Sequence, residues 1–113
     1  MNRKARVLVV DDDKDIRRLI LATLGTTFYD LQEVSSGSEA LAYLNTHDYP
    51  NLIILDLMLP DYSGFDILSR LKNDPDMAMI LVVVLSANAD VNRDRLLQLG
   101  ANAVFPKPFS PLD

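Results

Sequence analysis

Short apolar runs alternate with amphipathic stretches along the whole chain. Ala5 to Val10 reads ARVLVV, a Val-rich run suited to a strand covered on both faces. Ile16, Leu19, Ile20, Thr23 and Leu24 then recur at helical spacing and stop near Gly25, a helix-ending residue. Residues 29–34 alternate apolar and polar positions, which predicts a half-exposed strand near a sheet edge. Residues 36–47 carry a second helical pattern through Ala40, Leu41 and Leu44, and Glu39 follows Ser36 at the spacing of a capping box. Residues 51–56 (NLIILD) predict a third, buried strand. Phe65, Ile67, Leu68 and Leu71 mark a third helix ahead of Asp74-Pro75. Residues 80–85 (ILVVVL) form the most apolar run, 91–99 a fourth helix stopped by Gly100, and 103–105 a short fifth strand.

Strands that alternate with helices of about ten residues predict an α/β domain with a parallel sheet and helices on both faces. The 113 residues suit one domain, spanning 1–113. At the C-terminus, Ser110, Pro111 and Asp113 are helix-start signals. A fifth helix is therefore expected to begin there, and the chain is expected to be a fragment of a longer protein.

Composition narrows the chemistry. A hydrophobic fraction of 49% supplies a core and argues against a disordered chain. The absence of cysteine excludes disulfides, thiol catalysis and Cys-based zinc sites, and fits a cytoplasmic location. One histidine, His47, is too few for a multi-His metal site, and its place at a helix end makes it a turn or terminal residue. The net charge of −5 argues against direct nucleic-acid binding, since Arg3, Lys4 and Arg6 are the only basic cluster and read as a solvated lead-in. No apolar run approaches the length of a membrane span.

In open parallel α/β sheets, ligands sit beyond the carboxyl ends of the strands. Asp11, Asp12 and Asp13 follow the first run, Asp56 closes the third, Ser86 and Ala87 follow the fourth, and Lys107 follows the fifth. Clustered carboxylates without histidine or cysteine favour a hard cation, Mg²⁺ above all. A lysine beside them can hold a phosphoryl oxygen, and a strand-end carboxylate can act as the nucleophile that forms an aspartyl-phosphate. Asp13 directly precedes the first helical run and reads as its N-cap. Asp61, Asp74, Asp76 and Asp90 fall in predicted loops as turn residues, and Phe28, Tyr43 and Phe65 read as packing residues.

Four segments together carry a resemblance: VLVVDDD (7–13), LIILDLMLPDYSGFD (52–66), VVVLSAN (82–88) and LGANAVFPKPF (99–109). In this order and spacing the chain resembles the receiver domain of two-component response regulators over essentially its whole length. The resemblance implies a flavodoxin-like, doubly wound sheet of five parallel strands in the order 2-1-3-4-5, with the fifth helix largely missing here. It implies that Asp56 accepts a phosphoryl group from a histidine kinase or phosphotransfer protein. Asp11, Asp12, Asp56 and the backbone carbonyl of Met58 would bind Mg²⁺. Ser86, with Ala87 beside it, would supply the switch hydroxyl, and Lys107 would pair with the phosphoryl group. The bond between Lys107 and Pro108 would be cis, and Pro60 and Gly64 would shape the turn after the acceptor.

Three departures stand out. The family has an aromatic residue where this chain has Val104, and strand alternation sends the neighbouring Phe105 to the opposite face. The stretch from Ser86 to Gly100 is about one residue short against the family pattern, which predicts a tight loop before the fourth helix. Pro106 cannot donate a ladder hydrogen bond and should end the fifth strand.

The expected function is a signalling switch with slow self-dephosphorylation, acting on an output domain or partner protein, and not a turnover enzyme. An aspartate-nucleophile phosphohydrolase would need a second acid where Met58 stands. A dinucleotide-binding domain would need a G-x-G-x-x-G after the first strand. A pseudo-receiver is disfavoured by the complete set of acids and lysine. Without a fifth helix, apolar surface beside the first helix would be exposed, and a homodimer is one way to cover it.

Overall fold

The computed structural model describes residues 4–46 and 48–107. His47 and residues 108–113 lie outside them, so the predictions for His47, for the fifth helix and for the Lys107–Pro108 bond are not addressed by the fold. Among the described residues the order is β1 (Ala5–Val10), α1 (Lys14–Leu24), β2 (Tyr29–Val34), α2 (Gly37–Thr46), β3 (Leu52–Asp56), α3 (Gly64–Asn73), β4 (Leu81–Ser86), α4 (Ala89–Gln98) and β5 (Ala103–Pro106). All pairings are parallel, and the strands lie in the order β2-β1-β3-β4-β5. This is the doubly wound arrangement that the sequence predicts.

The uninterrupted apolar character of β1 follows from its position. Successive side chains of a strand point to opposite faces. Leu8 and Val10 join Ile53, Leu55, Val82 and Val84 under α2, α3 and α4. Val7 and Val9 join Ile54, Leu85 and Ile20 of α1 on the other face. Both sets are buried, so no polar position is tolerated between Val7 and Val10. The α1-side face thins toward β4 and β5. Leu81 and Phe105, the latter in register with Leu85, remain about half exposed.

Local signals set the helix ends. The Asp13 carboxylate accepts from Asp15 N at 2.9 Å and Ile16 N at 3.4 Å, which makes it the N-cap of α1 as predicted. Gly25 closes α1 at φ 70°, a conformation that favours glycine. Ser36 Oγ accepts from Glu39 N at 3.1 Å, the predicted capping interaction of α2. Ser63 caps α3, and Gly64 follows because nothing larger fits. A Cβ there would lie 2.7 Å from Leu57 Cα and 3.0 Å from Asp56 O, both backbone atoms.

Some expectations are corrected. Thr23 is exposed and donates its hydroxyl to Leu19 O, while Leu21 packs inward in its place. Phe28 is 73% exposed, because it sits in the loop ahead of β2 and only its backbone is engaged, by Ala5 N. Arg6 is more than a solvated lead-in, for its guanidinium donates to Tyr49 O and pairs with Asp48. Asp90 lies in the first turn of α4, since that helix starts at Ala89 after a loop of only Ala87 and Asn88. That tight loop, and the end of β5 at Pro106, follow the predictions.

Candidate functional site

The strand ends bring four charged residues to one rim. Asp11 stands one residue beyond β1, with its N–H on Val34 O at 3.2 Å and its Oδ1 accepting from Asp13 N at 2.8 Å. Asp56 closes β3, with Oδ1 accepting from Met58 N at 3.2 Å. Lys107 follows β5 and is fixed by its own N–H, which donates to Ser86 O at 2.9 Å. Its ammonium reaches across β4 to Asp56 Oδ2 at 3.0 Å and Asp11 Oδ2 at 3.1 Å. Both carboxylates are buried, at 0% and 1% exposure, whereas Asp12 is exposed beside them.

This burial shapes the electrostatics. Burial holds the Asp56 carboxyl above its ordinary range; the Lys107 hydrogen bond opposes that, and the Asp11 charge adds to it. Burial also pulls the Lys107 ammonium down, but its attraction to the Asp56 and Asp11 carboxylates outweighs the effect and holds it above the usual lysine value. Lysine and carboxylate thus stabilise each other's charged form in a poorly solvated place.

One carboxylate oxygen from each of Asp11, Asp12 and Asp56 lies within 4.8 Å of the others. Three carboxylates facing one ammonium leave an uncompensated double negative charge. The Lys107 contact to Asp11 Oδ2 lacks hydrogen-bond geometry, so this oxygen is buried without a hydrogen-bond partner. A buried, under-satisfied carboxylate oxygen in an all-oxygen donor set fits a hard divalent cation such as Mg²⁺. Met58 stands beside the cluster with its N–H on Asp56 and an exposed side chain.

Ser86 and Ala87 border the site without joining this group. Ala87 is exposed in the short loop. Ser86 is buried at the end of β4, but its hydroxyl accepts from Asn88 N at 3.1 Å and Asn92 Nδ2 at 3.4 Å, both on the α4 side. Val104 is buried, and its carbonyl accepts from Arg93 of α4 at 2.9 Å. Phe105 is turned to the opposite face, as alternation predicts.

Asp61 is more than a turn residue. Its Oδ1 accepts from Gly37 N at 2.8 Å, and its Oδ2 accepts from Ser38 N at 2.9 Å and Ser38 Oγ at 2.6 Å. These donors, the Ser38 hydroxyl foremost, hold its carboxyl at about 2. Tyr62 packs so closely on Gly37 that a Cβ there would lie 2.5 Å from the ring. The loop after Asp56 is thereby fastened to the start of α2. The partners lie over twenty residues apart in sequence, so no local pattern signals them.

Residues 7–113 match the family described as the response regulator receiver domain. "Probable transcriptional regulator ycf27" of Porphyridium aerugineum is 37% identical over 109 residues, covering 96% of this chain. The chain spans 44% of that relative's length. Among solved structures, the phosphorylated cyanobacterial phytochrome response regulator RcpA superposes with a TM-score of 0.85 at 32% identity, over 93% of this chain and 81% of that one. The Mn²⁺-bound form of response regulator Rcp1 superposes at 0.86 and 30% identity, over 96% of this chain and 85% of that one.

Proposed function

The chain belongs to the response regulator receiver domains, and on that premise we propose that it is a phosphorelay switch whose Asp56 takes a phosphoryl group from the phosphohistidine of a partner kinase or phosphotransfer protein. The observation that carries this reading is the convergence of Asp11, Asp56 and Lys107. Two buried carboxylates share one ammonium at a rim where a third carboxylate, Asp12, also lies.

The step is a displacement at phosphorus. An Asp56 carboxylate oxygen forms the new O–P bond, the donor's P–N bond breaks, and its electron pair stays on the imidazole nitrogen. The ammonium of Lys107, already 3.0 Å from Asp56 Oδ2, exchanges one carboxylate oxygen for a phosphoryl oxygen and keeps its charge partner. Asp11, Asp12, Asp56 and the Met58 carbonyl would hold Mg²⁺, which supplies positive charge against the transferring oxygens. The Mn²⁺-bound relative supports a divalent cation here, and the phosphorylated relative supports the modification.

Ser86 then turns from Asn88 and Asn92 toward the phosphoryl group, and this releases α4 from the end of β4. The output is a domain or partner protein that reads this surface. The acyl phosphate hydrolyses slowly and resets the switch, so the domain is a regulatory module in the cytoplasm and not a turnover enzyme. Val104 leaves the usual aromatic relay without its ring. The Arg93 bond to the Val104 carbonyl connects α4 to β5 at that place.

Incubation with Mg²⁺ and acetyl phosphate tests this reading by intact mass. The expected product carries one acid-stable, base-labile phosphoryl group, absent without Mg²⁺ and absent in Asp56→Asn. Persistence of the modification in Asp56→Asn would overturn the assignment.

A further inference from the structure

The backbone N–H, the backbone carbonyl and Oδ1 of Asp11 each have a hydrogen-bond partner, and the partner of the carbonyl is Arg17. Arg17 Nη1 donates to Asp11 O at 2.7 Å, while Arg17 Nε donates to Glu33 Oε1 at 2.8 Å. The Arg17 side chain is only 13% exposed. Its backbone N–H donates to Asp13 O at 3.1 Å. The Arg17 side chain therefore holds the first aspartate of the triplet, the first backbone bond of α1 holds the third, and Asp12 is bracketed between the two anchored neighbours.

β2 closes the circuit. Val34 O receives Asp11 N directly, and the adjacent Glu33 receives the arginine that holds Asp11 O. Asp11 is thus tied to the same strand at two points, by its amide and, through Arg17, by its carbonyl. An exposed ion pair would contribute little. This one differs on the arginine side: the Arg17 side chain is largely buried although Glu33 is exposed, and its planar fork spans two acceptors that a lysine could not align.

The charge of Arg17 is the wrong sign for its neighbourhood. A cation beside a cation site weakens that site unless it is neutralised or does something else. Glu33 supplies the neutralisation, and the carbonyl bond supplies the other task. We propose that the Arg17–Glu33 pair is a brace that sets the position of Asp11 and Asp12, and thereby the affinity of the rim for a divalent cation. Arg17 and Glu33 are positioning residues here, and the inference rests on the metal-binding reading of the rim given above.

Mg²⁺ titration by calorimetry tests the brace, with Mn²⁺ titration by electron paramagnetic resonance as a second readout. Charge alone predicts that Arg17→Gln binds Mg²⁺ more tightly; the brace predicts binding weaker by roughly tenfold, the scale of lost support around a metal ligand. Arg17→Lys keeps the charge and loses the fork, so it should also bind more weakly than the native chain. Adding Glu33→Gln to Arg17→Gln should weaken binding no further, since the two act as one unit. Equal or tighter binding by a folded Arg17→Gln would overturn the brace while leaving the metal site intact. If Arg17→Gln does not fold, Arg17→Lys decides: weaker binding at an unchanged Tm supports the brace, and unchanged binding overturns it. A native chain that binds neither ion would overturn both the brace and the metal-binding reading it rests on.

Discussion

Asp56 and Ser86 end neighbouring strands, one residue apart in register, yet their surroundings differ in kind. Around Asp56 one bond is local, from Met58 N, but the charged groups are buried and come from far along the chain, Lys107 from after β5 and Asp11 from after β1, and the loop that follows is pinned to α2 by Asp61. Around the Ser86 hydroxyl they are neutral and local, reaching only to Asn88 and Asn92. The helix there has Asn88 at its N-cap position with no side-chain capping bond, whereas α1 and α3 have one. A group proposed to hold reactive geometry is over-determined; a group proposed to move is held by bonds weak enough to exchange.

Lys107→Met should break that comparison hardest on the Asp56 side. It leaves two buried carboxylates without their shared cation, and loss of one partner from a buried pair costs about 3 kcal/mol or more. Denaturant unfolding at neutral pH should show it. The loss should shrink on acidification. The folded Asp56 carboxyl already titrates above its ordinary value, so the native state gains protons on the unfolded one as pH falls through that window, and stability rises with it. Removing Lys107 takes away a group that lowers Asp56, so the rise begins at higher pH in the variant. A loss that stays constant from neutral to acidic pH would show that the ammonium serves packing and not charge.

The strand ends were legible in sequence because burial leaves few alternatives. An acid directly after an apolar run either caps the next helix or must find a countercharge, and Asp13 took the first course while Asp11 and Asp56 took the second. Val104 and Phe105 were legible for the same reason, since a two-residue period fixes which face each takes. The Asp61 link to α2 and the Arg17 link to β2 were not legible. Each is a polar contact between exposed-looking residues that only the packing of separate elements brings together. Phe28 departs from its expected packing role because an aromatic residue's size says nothing about whether a loop turns it inward.

Asp61→Ala tests the middle of the scale. The variant loses three bonds that join the loop after Asp56 to α2, and its Tm at neutral pH should fall by a few degrees in a thermal melt. The pH dependence has a definite sign. The folded carboxyl sits at about 2, below the ordinary 3.8, so its contribution is complete above that ordinary value and disappears as pH falls through about 2. Native chain and variant should therefore differ in Tm at neutral pH and converge near pH 2. A difference that persists there would mean that the backbone of the loop, and not the carboxylate, makes the connection.

Ser86→Ala should have the smallest effect on stability, and its smallness is what sharpens the comparison. The serine is buried, and alanine nearly preserves its volume, so no cavity opens. What disappears is one acceptor for Asn88 N and Asn92 Nδ2, at 3.1 and 3.4 Å, and a bond of that kind is worth about 1 kcal/mol. The first donor lies in a tight loop and the second on a partly buried helix face, where water can replace part of the loss. Denaturant unfolding of Ser86→Ala and Lys107→Met under one buffer condition makes the measurement. If the serine variant loses as much as the lysine variant, then the hydroxyl is anchored as firmly as the carboxylates, and a rotation away from α4 is too expensive to serve as a switch. If it loses about a third as much or less, the β4 end is the soft side of the rim, and the proposed phosphorylation would need to outweigh only two weak neutral bonds to move it.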